Sequence, residues 1–267
     1  MNTPLLILSL LGGGPSQPPS PPVPDTKAEV DEASATAKKL TSEYVFQLDK
    51  SSDRKLRLEP EPVLRWINQL ERRFYGHVYV WTHEGRPEVV ASITTVFGPT
   101  RKMETEIHSL STGLPLMSLD GKILWEPRSP GVEWKPLSGV LKPGDTAAVR
   151  LQQMRTLAAQ FSVLADYGSG PEELRLLRTP IYRYESAKQH VRDGALFAYA
   201  KGTDPETFLL LEARGQKDDL QWQFAFARFN GNCAIRAVHD DKEVWQVSRL
   251  SLKENTDAKQ PYYGLRK

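Results

Sequence analysis

Three ionisable residues alternate along one predicted strand, and together they could bind a metal or move a proton. They are Glu104, Glu106 and His108. Side chains at i and i+2 of a strand share a face at intervals of about 7 Å, so these three would lie on one surface. Such a set suits a hydrolase or a metal-dependent enzyme, with Glu106 and His108 as candidate catalytic residues. The alternative is a strand face that is open to water, as antiparallel sheets commonly have.

A second polar and aromatic set lies on an earlier predicted strand, where His77, Tyr79, Trp81 and His83 share a face. This set could form a ligand-binding wall, and we count His77 and Trp81 with the three ionisable residues as candidate ligand contacts. The interpretation that we favour is core packing with histidines at the rims.

The remaining chemistry of the sequence is sparse. The chain has one cysteine, Cys233, which excludes an intramolecular disulfide and fits a small buried hydrophobe better than a nucleophile. No zinc, dinucleotide, hydrolase-elbow or EF-hand motif occurs, so we expect no cofactor and name no metal ligands. Thirty-five basic and 33 acidic side chains leave a net charge of +2, which argues against a nucleic-acid partner.

The chain matches itself when it is shifted by 118 residues, so the elements that position these residues are predicted twice. Eight identities fall in 33 positions between Leu56 and Glu88, where chance gives about two. Predicted strands in the first copy are 54–59, 62–67, 77–83, 88–96, 103–110 and 115–125. Predicted strands in the second copy are 173–178, 180–185, 195–201, 206–213, 220–229 and 233–247.

An apolar stripe at helical spacing precedes the strands of each copy. In the second copy, Asp145 or Thr146 is the predicted helix cap. Short turns between consecutive strands predict antiparallel pairing. We therefore predict an α+β fold with two pseudo-symmetric halves, each a helix followed by an antiparallel β-meander curled against it.

The shift of 118 also predicts which face of the sheet the ionisable residues occupy. Trp222, Phe224 and Phe226 should face an apolar layer, and they align with Glu104, Glu106 and His108. We therefore expect the first helix to cover that face incompletely and to leave a groove lined by Glu106 and His108.

The segments outside the two copies differ from them in composition. An apolar run followed by small residues predicts a signal peptide at 1–16, and six prolines between residues 15 and 24 predict a tether at 17–25. No apolar run approaches the roughly 20 residues of a membrane-spanning helix. The other predicted parts are a first repeat at 26–125, a Pro/Gly-rich connector at 126–144, a second repeat at 145–252 and a polar tail at 253–267.

Five short strings carry a resemblance to a family of uncharacterised bacterial proteins with signal peptides. The strings are Pro62–Trp66, Val80–Glu88, His108–Ser111, Gly131–Pro136 and Gly194–Phe197. The resemblance covers most of residues 40–250 and implies export, but it implies no activity. At the level of fold, a helix against a curled sheet is similar to lipoprotein-carrier half-barrels, cystatins and nuclear-transport-factor-like cones.

Two functions remain open at this point. The first is a non-catalytic module, exported to the periplasm or beyond, that binds a small apolar ligand or an envelope protein on its curved sheet. The alternative is a hydrolase or metal-dependent enzyme that uses the strand face of Glu104, Glu106 and His108.

Overall fold

The computed structural model describes residues 27–51, 54–68, 73–98, 100–216 and 219–266. Strands hold 50% and helices 16% of these residues, and the strands divide among four antiparallel sheets. The predicted α+β fold, with each half a helix followed by one curled meander, is therefore wrong. The predicted signal peptide at 1–16 and the tether at 17–25 lie outside the described residues.

Three helices and nineteen strands make up the regular structure of the described residues. The elements up to the connector are α1 Lys27–Glu43, β1 Val45–Gln47, β2 Arg57–Leu58, β3 Leu64–Asn68, β4 Arg73–His83, β5 Arg86–Phe97, β6 Lys102–Ser109, β7 Leu116–Leu119, β8 Lys122–Trp125 and β9 Lys135–Pro136. The later elements are α2 Ala147–Ala158, β10 Phe161–Asp166, β11 Pro171–Glu173, β12 Arg175–Leu176, β13 Tyr182–Ser186, a 3₁₀ turn Ala187–Gln189, β14 Val191–Lys201, β15 Asp204–Arg214, β16 Gln221–Arg228, β17 Ala234–His239, β18 Lys242–Val247, α3 Leu252–Asn255 and β19 Tyr262–Arg266.

Two six-stranded sheets form the centre of the fold. The first has the order β19-β6-β5-β4-β2, with β3 also on β4, and the second has the order β12-β14-β15-β16-β9, with β13 also on β14. The small sheets are β1-β7-β8 and β11-β10-β17-β18. Consecutive strands pair locally as predicted, but the hairpins β7-β8 and β17-β18 leave the main sheets to pair with β1 and β10. A single meander in each half is excluded by this split.

One edge strand of each six-stranded sheet comes from the segment that follows the strands of the other half. Strand β9 follows the first set of strands in the chain but pairs with β16, and β19 follows the second set but pairs with β6. The predicted polar tail at 253–267 includes all of β19 and all but the first residue of α3. Tyr262 in β19 is 2% exposed, so the tail docks through this tyrosine.

Three apolar cores separate the layers. One lies between the first large sheet, α1 and the sheet of β1, and another between the second large sheet, α2 and the sheet of β10. The third lies between the two large sheets, where Val78, Val90 and Leu110 meet Leu196 and Phe208. Strands β5 and β15 are consequently buried on both faces.

Candidate functional site

Corresponding β-bulges place two glutamates at the interface between the large sheets. In the β4-β5 hairpin, Trp81 pairs with Val89 and Thr82 pairs with Pro87, which leaves Glu88 as the extra residue. The β14-β15 hairpin has the same irregularity, and its extra residue is Glu206. A bulge redirects a side chain, and the preceding proline has no N–H to lose from the ladder. Each bulge therefore presents a carboxylate near the end of the interface.

The first bulge builds a buried ion network, here called the Arg86 cluster: Arg86, Glu88, Glu212 and Arg214. The Arg86 Nε atom donates to Glu212 Oε1 at 2.9 Å, and its Nη1 lies 3.1 Å from Glu88 Oε2. Arg214 Nε lies 2.9 Å from Glu212 Oε2. Burial lowers the pKa of Arg86, but the carboxylates of Glu212 and Glu88 outweigh this effect and raise it above the ordinary value. Two positive and two negative charges are thus balanced between the sheets.

The second bulge builds a cluster of a different kind, here called the Asp204 cluster: Asp204, Glu206, Glu104 and Glu106. Burial raises the pKa of Glu206 to about 7, although Asn230 Nδ2 donates to its Oε2 at 2.6 Å. Burial also raises the pKa of Asp204 well above its ordinary value, and the charges of Glu206, Glu106 and Glu104 add to the effect. The raised pKa values favour the protonated forms of Asp204 and Glu206, whereas arginines balance the carboxylates of the Arg86 cluster.

Strand pairing shows why Glu104 and Glu106 belong to this interface. Glu106 pairs with Ser92 and His108 pairs with Val90, whose side chain lies between the large sheets. Glu104, Glu106 and His108 therefore share a face as predicted, but it is not the face beneath α1. The predicted groove under α1 is wrong.

The error is a slip of one residue between the two copies. Ile107 pairs with Ala91 in the first sheet, and Phe226 pairs with Leu209 at the corresponding position of the second. Trp222, Phe224 and Phe226 thus correspond to Met103, Thr105 and Ile107. A slip of one residue moves every side chain to the other face of a sheet.

His108 is buried and neutral. Its Nδ1 atom lies 2.6 Å from the Ser109 carbonyl oxygen, which fixes the proton on Nδ1. Burial lowers the pKa of His108 to about 4, although the bond to Ser109 acts in the opposite direction. Tyr262 on the paired strand β19 donates its hydroxyl to Glu106 Oε1. These contacts connect the two halves of the chain.

His77 and Trp81 lie on the other face of the first sheet, beneath α1. Trp81 is 1% exposed and packs with Tyr79 in the core under this helix. His77 Nε2 lies 3.0 Å from the Ser34 hydroxyl on α1, and burial lowers the pKa of His77 to about 4. Tyr79 and Trp81 thus pack in the core as predicted, whereas His77 is buried beneath α1 and does not lie at a rim.

A groove of about 370 Å³ separates the connector from α2, and it is here called the connector groove. Its walls carry no charged side chain; they are Gly139, Val140, Leu141, Gln152, Gln153, Thr156, Leu157, Gln160 and Trp222. Other grooves of about 330, 400 and 510 Å³ contain charged side chains in their walls. Leu141 at the rim is 82% exposed, whereas Leu157 is buried. The connector groove is thus the one of these four whose walls hold no charged side chain.

Local hydrogen bonds hold the walls of the connector groove in place. Gly139 has φ = +77°, which permits the turn after the buried Leu137. Thr146 caps α2 by accepting from the Val149 N–H, as predicted. The Gln153 side chain accepts from the Gly144 N–H and donates to the Lys142 carbonyl, both at 2.8 Å. The connector is therefore a fixed wall.

No protein-family model, curated protein or solved structure matches this chain. In the part of the chain that the structure describes, no group of three or more His, Cys, Asp or Glu side chains is placed to hold a metal ion. The same part contains no helix with the length and apolarity to cross a membrane.

Sequence reasoning missed the Arg86 cluster and the connector groove. The signal for the first is the Pro-Glu pair that recurs at Pro87-Glu88 and Pro205-Glu206. For the groove, the sequence predicts that Trp222 faces an apolar layer, and the residue is buried at 2% exposure. The connector folds back over the Trp222 ring because of long-range packing. The spacing of residues in the sequence does not predict such packing.

Proposed function

We propose that this protein is a non-catalytic binding module whose connector groove holds a small, uncharged, largely apolar ligand. One observation carries the proposal. The highly exposed Leu141, the buried Leu157 and the buried Trp222 converge on a single groove without charged walls. Ligand sites are typically concave and apolar, with a few polar groups and volumes of about 300–1,000 Å³.

The environment of His108 favours binding over proton transfer. An imidazole with a pKa of about 4 that lies between packed layers remains neutral at physiological pH. Export remains part of the proposal and rests on the apolar N-terminal pattern and on the resemblance stated above. The chemistry of the groove leads us to propose a small molecule as its occupant, because a charged protein surface would find no complementary charge there.

The test is a titration with Nile red, an uncharged dye whose fluorescence rises in apolar surroundings. We expect binding by the wild-type protein and about tenfold weaker binding by Leu141→Ser, since the variant removes apolar contact area worth about 1–2 kcal/mol. Leu252→Ser is the matched control, because Leu252 is 69% exposed on α3. Equal affinities for the two variants, or no binding by the wild type, would overturn the proposal.

A further inference from the structure

The Asp204 cluster is hydrogen-bonded to the edge strand β19 and to the loop on which β19 packs. Tyr262 of β19 donates its hydroxyl to Glu106 Oε1 and is 2% exposed. Asn230, in the loop between β16 and β17, donates to Glu206 Oε2 at 2.6 Å. The next residue, Gly231, packs so closely that a Cβ atom there would lie 3.1 Å from the Tyr262 ring. Strand β19 and this loop therefore form one packed unit over the cluster.

The cations near Asp204 and Glu206 are engaged by other groups. The titratable side chains that face this pair or its immediate neighbours are Glu104, Glu106 and His108 of β6, Tyr167 after β10, Glu172 of β11, Lys201 of β14, Arg228 of β16, Cys233 before β17 and Tyr262 of β19. Lys201 is paired with Glu172, and the Arg228 guanidinium donates to backbone carbonyl oxygens at 2.9–3.2 Å. Within the described part of the chain, neither cation forms an ion pair with Asp204 or Glu206.

Ionisation of Asp204 and Glu206 therefore places uncompensated charge between the sheets. A buried carboxylate without a cation is unfavourable until water reaches it. Weakly packed elements open at a lower free energy than core strands, so water should enter where an edge element covers the cluster. Strand β19 is such an element, because it is the edge of its sheet and the adjoining helix α3 has four residues.

We propose that the Asp204 cluster is a pH-sensitive switch that keeps β19 docked on β6 in acid and lets this strand and the loop 229–233 open in alkali. Burial raises the pKa of Glu206 to about 7 and the pKa of Asp204 above its ordinary value, so the opening belongs above pH 7. The switch does not involve the connector groove, and the inference is independent of the proposed function.

The test is amide hydrogen exchange of the wild-type chain at pH 6 and pH 8.5, with labelling times scaled to the intrinsic exchange rate. We expect protection of β19 and of 229–233 to fall at least about tenfold between these pH values. That factor follows by linkage from Glu206 alone, with a pKa of about 7 when closed and 4.5 when open. Protection around Arg86 and Glu212 should stay constant, because ion pairs compensate the carboxylates there.

Two variants that remain neutral, Glu206→Gln and Asp204→Asn, should each reduce the pH response of β19. Glu61→Gln is the control, since its side chain is 72% exposed and it should respond as wild type does. An equal loss of protection at both ends of the interface would show that the whole fold loosens, and the inference would be wrong. Constant protection of β19 in wild type, or an unchanged response in both neutral variants, would also overturn it.

Discussion

The two ends of the interface between the large sheets each contain buried carboxyl groups, but the charge of these groups is compensated differently. At the first bulge, Arg86 forms ion pairs with Glu88 and Glu212, and its side chain is 3% exposed. In the second hairpin, Asp204 occupies the position that corresponds to Arg86. Glu206 therefore has a carboxyl group as its neighbour, whereas Glu88 has a cation. One end carries ion pairs, and at the other end the pKa values of Asp204 and Glu206 are raised.

This difference has a physical consequence for stability. Breaking a buried ion pair leaves an uncompensated charge and is strongly destabilising at every pH at which the partner is ionised. A buried carboxyl group that folds in its protonated form instead makes stability depend on pH, because the folded state binds more protons than the unfolded state. The two ends should therefore respond to different perturbations.

The largest effect is expected at the ion-paired end. Arg86→Met removes the guanidinium from Glu88 and Glu212, which are 3% and 0% exposed, and we expect a loss of about 3–5 kcal/mol in the free energy of unfolding. The measurement is urea unfolding at pH 7, followed by tryptophan fluorescence. Arg65→Met is the control, since the Arg65–Glu61 pair is exposed at 57% and 72%, and its loss should cost at most about 1 kcal/mol. Similar losses for the two variants would show that the Arg86 cluster is not buried in solution.

Most of the hairpins could be predicted because each strand pairs with its neighbour in sequence. The turns Glu84-Gly85 and Asp120-Gly121 adopt positive φ at both central residues, and the strands predicted around them are present. The predicted duplication of the sequence stays a prediction, although β4 and β14 begin 118 residues apart and carry the same bulge.

The division into four sheets and the face of Glu104, Glu106 and His108 could not be predicted from alternation. Strand β5 is buried on both faces, so its residues carry no signal for which face meets the helix. One extra residue between β15 and β16 then shifts the alignment of β16 and reverses the predicted face. The prediction that Glu104, Glu106 and His108 share a face is correct. That face lies between the two large sheets, however, and not beneath α1.

A smaller effect, dependent on pH, is expected at the carboxyl end. The pKa of Glu206 is about 7 in the folded protein and about 4.5 when unfolded, so its stabilising contribution is complete below pH 4.5 and is lost as pH rises through 7. Glu206→Gln stays neutral, and relative to wild type it should gain up to about 3 kcal/mol between pH 4.5 and pH 8. The comparison must be made with wild type at each pH, because the lowered pKa values of His77 and His108 act in the opposite direction below pH 6.5.

The matched control for this prediction is Glu88→Gln, at the corresponding position of the first bulge. It removes an ion-pair partner from Arg86, so we expect it to destabilise the protein at both pH 5 and pH 8. The measurement is the free energy of unfolding of wild type, Glu206→Gln and Glu88→Gln at pH 5 and pH 8. A Glu206→Gln variant that is no more stable relative to wild type at pH 8 than at pH 5 would contradict protonation of this carboxyl group in the fold.

The smallest effect is expected where β19 closes the Asp204 cluster. Tyr262→Phe keeps the buried ring against β6 but removes the hydroxyl that donates to Glu106, and we expect a loss of about 0.5–1.5 kcal/mol, the net contribution of one hydrogen bond. Tyr263→Phe changes the neighbouring, half-buried ring on the opposite face of the same strand, and it should stay within about 0.5 kcal/mol of wild type. The measurement is the free energy of unfolding of both variants in urea at pH 8. If Tyr262→Phe were as stable as Tyr263→Phe, the hydroxyl would contribute nothing to Glu106, and β19 would be held by its backbone pairing and ring packing alone.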